Sequence, residues 1–408
     1  MRIVYSLLII WALFNGIFIS KFNFPRIVGY WDELFTIFLL FYFLLRIGKR
    51  GRFKNLDNKK LLIKVSMIII IGILGNIYYR YTNSMEAIIR DIVGFIKFPI
   101  LYVALCESQI NKMLYKQNYR LKRFYKAYSV ILFLFGIFSI FVNTGMNQVE
   151  YRYGFHPFMF LYGHPTGLVI AIVILMVLMN TSEDRKEFTA YYIINILTLV
   201  LTFRTKGIAI AALFLFLKFS AGWSKKLRFI YWGGAAFVVI LILWSKLSLY
   251  MSYTGSGRQS LYEGALTLAR MCFPIGSGFG TYGSHVSGKF YSKVYDFIYI
   301  PEVNFFTSDF SRAILGDVGY PYYLGQFGVF GFLIMIKLLI DQLRISIGSK
   351  KSGRKMNLSM FILIAYCFIG LTAESTLLNF GAELAIALSI TRLKESDEVR
   401  PVVSAIRR

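Results

Sequence analysis

The sequence has few charged residues, and acidic residues, histidine and cysteine are especially scarce. Only 16% of its 408 residues are charged and 57% are hydrophobic, whereas soluble domains carry roughly 25% charged residues. This composition argues against a soluble protein. The cysteines Cys106, Cys272 and Cys367 stand far apart, and only Cys272 falls in a segment expected outside a membrane. We therefore predict no disulfide within the chain.

The shortage of acidic residues leaves a large positive charge, with 46 Lys and Arg against 21 Asp and Glu and a net charge of +25. In a soluble protein this excess would suggest a nucleic-acid partner. Here the basic residues lie between apolar segments, where the positive-inside rule places them in membrane proteins. We therefore expect a membrane protein that binds no nucleic acid.

Apolar segments of about 20 residues, long enough to cross a bilayer, recur along the chain. They predict an all-α polytopic membrane protein, a single integral membrane domain with about twelve transmembrane helices. The first segment has no small-residue cleavage site and is predicted to be a retained span. The predicted spans are 3–20, 29–45, 61–79, 86–106, 127–143, 158–180, 189–203, 207–222, 229–249, 321–340, 358–374 and 376–391.

The connections between these spans are either rich in Lys and Arg or nearly free of them. Placing the basic connections in the cytoplasm predicts that both termini are cytoplasmic and that the sparse connections face outward. The basic connections are 46–60, 112–126, 225–228 and 344–355. The short pair 189–203 and 207–222, and the pair 358–374 and 376–391, would each also fit a helix hairpin or a re-entrant pair, although the charge pattern favours two spans each. The longest connection, 250–320, is predicted to be outside and ordered because aromatic residues occur throughout it.

Charged residues inside a span are costly in a bilayer and are therefore candidates for function. Arg90 and Lys97 lie seven residues apart in the fourth span and share one helical face. We take both as candidate substrate-binding residues. The alternative is an internal ion pair with Asp32, Glu33 or Asp91.

The outer connection 144–165 carries Arg152, His156 and His164 among aromatic residues. The histidines lack the spacing of a zinc site, and no cysteine accompanies them. The pattern instead indicates an aromatic belt at the membrane interface, or a surface on which sugar rings stack. Arg152 and His164 are candidate substrate-binding residues.

Arg204 and Lys206 stand between two short spans on the outer side, where the charge rule disfavours cations. One explanation is an interfacial anchor whose charged end reaches towards water. The other is an anion site, because a guanidinium presents a fork of donors that matches phosphate oxygens and stays charged. We favour the anion site and take Arg204 as a candidate catalytic residue.

The long outer connection begins with an amphipathic pattern at 255–270, in which Leu261, Ala265 and Leu268 fall on one face. This pattern predicts a short interfacial helix. The helix is expected to begin at Arg258.

A glycine-rich stretch, PIGSGFGTYGSH at 274–285, follows this helix. No strand precedes it, so a dinucleotide-binding fingerprint is excluded. It predicts a flexible turn whose backbone amides approach a ligand. Gly276, Gly278 and His285 are the candidate binding residues here.

Charged residues close the long connection before the tenth span, namely Glu302, Asp309, Arg312 and Asp317. A carboxylate at this position could deprotonate a sugar hydroxyl within hydrogen-bond reach. Asp309 is also a candidate substrate-binding residue. The alternative for each carboxylate is a solvated loop residue.

Three of these features, in this order, resemble the O-antigen ligase/polymerase superfamily of bacterial envelope polysaccharide enzymes. The first is Arg204 in LTFRTKG, at the outer edge of a short pair of spans. The second is Arg258, which opens a helix leading into PIGSGFGTYG, and the third is Asp317 ahead of YPYYLGQFGVFGF. The resemblance covers about 200–340, and the first half of the chain matches only in general character.

The third element distinguishes between members of the superfamily. In lipid A-core ligases a histidine heads this segment, and spacing back from Gly328 and Gly331 sets that position at Asp317. The ligase histidine is thus absent. The resemblance therefore favours a Wzy-type repeat-unit polymerase over a ligase.

The resemblance implies a GT-C-like glycosyltransferase of the bacterial cytoplasmic membrane that makes O-antigen, capsule or exopolysaccharide. Its substrates would be undecaprenyl-diphosphate-linked oligosaccharides, and a chain-length regulator protein is a candidate partner. Because the donor is already activated, no cofactor, nucleotide sugar or metal is expected. Fixed cations would stabilise the diphosphate leaving group. Arg204 and Arg258 are the first choices for this role, followed by Arg152, Arg90 and Lys97.

For the general base the resemblance favours Asp317, followed by Asp309 and Glu302, with His285 and His164 as alternatives. Three other functions remain open at this point. A ligase would require the histidine that is absent here. A lipid-linked oligosaccharide flippase or other transporter would not need a long ordered outer loop. A membrane acyltransferase would use one of the outer histidines.

Overall fold

A computed structural model describes eight stretches of the chain, and all structural statements below concern these residues. They are 2–21, 30–152, 154–181, 185–219, 257–298, 315–316, 318–348 and 356–392. Within them the protein is helical, with two isolated β-bridges and no named strand. The predicted all-helical class is confirmed.

Sixteen α-helices occur in the described residues. They are α1 (Arg2–Lys21), α2 (Trp31–Arg50), α3 (Leu56–Tyr79), α4 (Met85–Glu107), α5 (Ile110–Arg120), α6 (Lys122–Phe141), α7 (Pro165–Thr181), α8 (Thr189–Leu201), α9 (Thr205–Phe219), α10 (Gly257–Met271), α11 (His285–Lys289), α12 (Val294–Phe297), α13 (Gly319–Ile347), α14 (Leu358–Gly370), α15 (Thr376–Asn379) and α16 (Gly381–Arg392).

Four of the described helices, α1, α3, α6 and α13, are long and apolar enough to cross a membrane. The helices α7, α8 and α14 are apolar but shorter. This pattern is that of a multi-pass membrane protein, while the number of twelve spans stays a prediction. The predicted span 229–249 lies outside the described residues.

Several predicted spans differ from the described helices. The segment 158–180 becomes helical only at Pro165, because the preceding residues form a turn. The segment 376–391 is divided into α15 and α16. Helix α5 was missed, because its basic residues were assigned to a connection; its buried face carries Leu114, Tyr115 and Asn118.

Capping residues determine where several helices begin and end. The side chain of Asn55 accepts a hydrogen bond from the Asp57 amide at the start of α3, and Ser84 accepts one from the Ala87 amide at the start of α4. Such caps satisfy amides that have no partner within the helix. Helix α3 ends where Arg80 takes a left-handed conformation.

The basic connections meet at one end of the helix bundle. Arg46 donates to the carbonyl of Ser108 at 2.5 Å. Arg392 pairs with Asp57 at 3.3 Å, which joins the end of α16 to the start of α3. Segments that the charge pattern assigns to the same side therefore lie together.

The sparsely charged connections meet at the opposite end. Tyr262 on α10 donates to the carbonyl of Thr372 at 3.0 Å. The amide of Lys293 donates to the carbonyl of Tyr81 at 3.0 Å. We call this the outer end, following the predicted orientation. The predicted helix at 255–270 is confirmed as α10.

The buried face of α10 is the predicted one. Leu261 and Ala265 are fully buried and Leu268 is nearly so. They pack in a small apolar cluster with Tyr282, Tyr295, Ile298, Leu315 and Val318. Packing against these residues fixes α10, and with it Arg258, over the outer end.

Candidate functional site

A hairpin-like turn in the connection between α6 and α7 forms one wall of the outer end. Its backbone is held by the Gln148 amide on the Pro157 carbonyl and by the Arg152 amide on the Phe155 carbonyl, both at 2.8 Å. The Phe158 amide donates to the carbonyl at the end of α8. These bonds bring Gln148 and Arg152 to the connection that contains Arg204.

Arg204 lies buried in the short connection between α8 and α9. One terminal nitrogen of its guanidinium donates to Gln148 Oε1 at 2.7 Å and lies 2.9 Å from His164 Nε2. Its Nε is buried and has no acceptor among the described residues. A buried donor without an acceptor is costly. The guanidinium is thus held in place with its Nε donor left for a ligand.

Arg152 and Arg258 lie close enough for their charges to act on Arg204. Both lower the pKa of Arg204 after the larger effect of burial, whereas Glu150 and Glu374 raise it. The pKa falls to about 10, so the guanidinium stays charged at neutral pH. Three arginines from separate parts of the sequence therefore share one electrostatic environment.

His164 is neutral in this environment. Burial lowers its pKa most, and the charges of Arg204, Lys206, Arg152 and Arg258 lower it further, to about 4. A neutral imidazole can accept the hydrogen bond from Arg204 at Nε2. His164 therefore orients the guanidinium without adding charge.

Lys206 and Glu374 complete this group. Lys206 Nζ pairs with Glu374 Oε1, and the side chains are only 10% and 9% exposed. We define the outer cationic cluster as Arg152, His164, Arg204, Lys206 and Arg258 together with Glu150 and Glu374. With His164 neutral, these residues carry four positive and two negative charges. The excess of positive charge suits a ligand with negative charge.

The glycine-rich stretch that was predicted to cradle phosphate is a packed turn. The Gly276 amide donates to the Cys272 carbonyl, and the Gly278 amide donates to the Gln326 carbonyl, both at 2.8 Å. The next two amides donate to Asn76 Oδ1 and Asp91 Oδ2. Because these amides already have acceptors, the structure gives Gly276 and Gly278 a packing role in place of ligand binding.

This turn fits against a kink in α13. Gly328 has φ +60° within the helix, and a Cβ atom there would lie 2.3 Å from the Pro274 carbonyl oxygen. A Cβ on Gly276 would lie 2.2 Å from the Gly328 amide nitrogen. Two backbones can approach this closely only when both residues are glycine.

We expect Gly276→Ala to destabilise the fold by about 3 kcal/mol or more, because it adds a backbone clash to a residue at φ +76°. Thermal unfolding in detergent measures the change. Gly145→Ala is the matched control, since Gly145 has φ +67° but no atom within 4 Å of the added Cβ. Equal unfolding midpoints for the two variants would contradict the close approach.

The structure does not bring Arg90 and Lys97 into the outer cationic cluster. Arg90 is partly exposed and pairs with Glu86 at 2.6 Å on its own helix. Lys97 is buried and pairs with Asp32 at 2.5 Å and with Glu33 at 3.5 Å. The alternative of an internal ion pair is the one observed for Lys97.

Three of the predicted acidic residues, Asp309, Asp317 and Glu302, lie outside the described residues, as does Arg312. The neighbours of Asp317 are described, however. The Ser375 amide donates to the Gly316 carbonyl at 3.1 Å, and the Ser375 hydroxyl donates to the Val318 carbonyl at 3.2 Å. The carbonyls of Gly316 and Val318 are thus both held by Ser375, the residue that follows Glu374.

His285 lies at the same place. A Cβ on Gly316 would fall 2.1 Å from His285 Nε2, so the imidazole packs directly against that glycine. His285 therefore contacts Gly316, and Gly316 is hydrogen-bonded to Ser375. Ser375 directly follows Glu374, which belongs to the outer cationic cluster. The described residues contain no group of three or more His, Cys, Asp or Glu that could hold a metal ion.

None of the protein-family models compared with the chain matches it, and no curated protein sequence matches it. The function is therefore inferred from the arrangement of residues at the outer end.

Sequence reasoning missed Gln148 and Glu374 as members of the site. Gln148 is an uncharged residue in a polar loop, and no local pattern marks it. Glu374 offered a signal, since it is a carboxylate between two apolar segments on the side where Lys206 is predicted. A cation and an anion placed at the same depth of a bundle are candidates for a pair.

Proposed function

We propose that this protein is a Wzy-type polymerase of lipid-linked oligosaccharide repeat units. It would transfer a glycan from undecaprenyl diphosphate to a sugar hydroxyl of another lipid-linked unit, at the outer face of the bacterial cytoplasmic membrane. One observation carries the proposal: Arg152, His164, Arg204 and Arg258, each chosen separately from the sequence, meet in one cluster at the outer end.

The chemistry of the reaction explains why such a cluster is useful. The bond between the anomeric carbon of the donor sugar and the diphosphate oxygen breaks, and the hydroxyl oxygen of the acceptor forms the new glycosidic bond. Negative charge accumulates on the diphosphate as the first bond breaks, and fixed cations stabilise that charge in the transition state. Arg204 and Arg258 are the proposed diphosphate ligands, with Arg152 beside them.

The hydroxyl proton of the acceptor needs a base within hydrogen-bond reach. We keep Asp317 as the proposed base. The residues on both sides of it are hydrogen-bonded to Ser375, next to Glu374 of the outer cationic cluster. His285, packed against Gly316, is the alternative base at the same place.

Deleting the gene in the native bacterium tests the function. We expect surface polysaccharide that carries single repeat units and no long chains, because export and attachment of a unit would still occur without polymerisation. Gel electrophoresis of the surface polysaccharide measures the chain length. Complete loss of the attached units would instead support a ligase or a flippase.

Complementation of the deletion strain separates the site from the fold. Arg258→Gln should leave mostly single units, because it removes one proposed diphosphate ligand. Arg270→Gln is the matched control, since Arg270 lies on the same helix and is exposed. Long chains restored equally by both variants would contradict the role of Arg258.

A further inference from the structure

The ion pair between Lys206 and Glu374 has no role in the function proposed above. Lys206 is the second residue of α9, and Glu374 lies in the connection between α14 and α15. Both side chains are about nine-tenths buried. Removing either charge from a buried pair leaves the other uncompensated. The pair therefore persists until another charged group replaces one partner.

The two partners differ in how firmly they are held. Glu374 Oε1 also accepts hydrogen bonds from the Tyr366 hydroxyl and the Thr376 hydroxyl, each at 3.2 Å. These donors fix the carboxylate independently of Lys206. The ammonium, by contrast, sits at the end of a flexible four-carbon chain. Lys206 is thus the partner that can move.

Lys206 lies where a bound anion would reach it. It follows Arg204 by two residues, and the charges of Arg204 and Arg258 both act on it. Arg204 Nε is buried without an acceptor among the described residues. A phosphate group that accepts from this nitrogen would lie among the charges that act on Lys206 and would compete with Glu374 for its ammonium.

We propose that Lys206 is a further diphosphate ligand and that the diphosphate, when bound, replaces Glu374 as the ion-pair partner of Lys206. This inference rests on the proposed function. When the site is empty, Glu374 neutralises Lys206. When diphosphate is bound, Lys206 turns to the phosphate oxygens, and it returns to Glu374 when the diphosphate product leaves. The competing carboxylate keeps product affinity moderate, which favours turnover.

Binding of inorganic pyrophosphate to the purified full-length protein in detergent tests this exchange. Lys206→Met should raise the dissociation constant about tenfold, because a charge-assisted hydrogen bond is lost. Glu374→Gln should lower it, because the competing acceptor loses its charge. Lys293→Met is the control, since Lys293 is exposed at the same end, and it should bind as the wild type does.

Four outcomes decide the matter. Wild-type binding that Lys206→Met leaves unchanged would overturn the inference while the proposed site stands. Weaker binding by a folded Glu374→Gln variant would overturn it as well. If Glu374→Gln does not fold, Glu374→Asp, which shortens the carboxylate's reach to Lys206, should also tighten pyrophosphate binding, and failure to do so would count against the exchange. Absence of wild-type binding would overturn the proposed function together with the inference.

Discussion

Arg204→Ala is expected to abolish long-chain polysaccharide, with transfer slowed by roughly a hundredfold or more. The physical reason is that a fixed donor aimed at developing negative charge contributes about two to three orders of magnitude to a rate. Arg204→Lys should also be impaired. A single ammonium cannot donate to Gln148 and His164 and also donate to a ligand from the position of Arg204 Nε. Gel analysis of polysaccharide from the complemented deletion strain measures the effect.

The fold should tolerate this change. Arg204 is a cation among other cations, so its removal lowers the repulsion in the outer cationic cluster. Gln148 still donates to Glu150, and His164 still accepts from the Thr166 amide. Arg80→Gln is the matched control, since Arg80 lies at the outer end and, within the described part of the chain, its side chain donates only to the Ile77 carbonyl on the preceding helix. Long chains made by a correctly inserted Arg204→Ala variant would exclude Arg204 from the reaction.

Features set by local pattern could be predicted from the sequence. The helix at 255–270 follows from the spacing of Leu261, Ala265 and Leu268, and it occurs as α10 with that face buried. The ends of the early spans follow from apolar length, since α1, α3 and α4 begin and end within a few residues of the predicted spans. In each case neighbouring residues in the sequence determine the result.

Features that depend on distant parts of the chain could not be predicted. The glycines of PIGSGFGTYG have the composition of a phosphate-binding turn, and only the folded chain, with its kink at Gly328, shows that their amides already donate to protein acceptors. The partner of Lys206 is Glu374, far along the chain, and the sequence indicates only that both lie in connections on the same predicted side. The role of Lys97 could not be predicted for the same reason. Its position in the sequence fits both an ion pair with Asp32 and a ligand-binding site.

The pair formed by Lys97 leads to the second large expected effect. Lys97→Met should destabilise the protein by about 3–5 kcal/mol, because removal of one partner from a buried ion pair leaves the other charge uncompensated. Here the ammonium faces Asp32 and Glu33 on α2. Thermal unfolding in detergent measures the loss. The double variant Lys97→Met with Asp32→Asn should recover part of it, since the buried negative charge is then removed too.

A third carboxylate also acts on Lys97. Glu383 on α16 is buried, accepts from Asn15 Nδ2 at 2.5 Å, and has a second oxygen without a partner among the described residues. Its charge and those of Asp32 and Glu33 act on Lys97 together, so the lysine is the common counter-ion of residues from α2 and α16. The pyrophosphate affinity of the folded Lys97→Met protein should match the wild type. A stable variant that has lost pyrophosphate binding would return Lys97 to the substrate-binding residues.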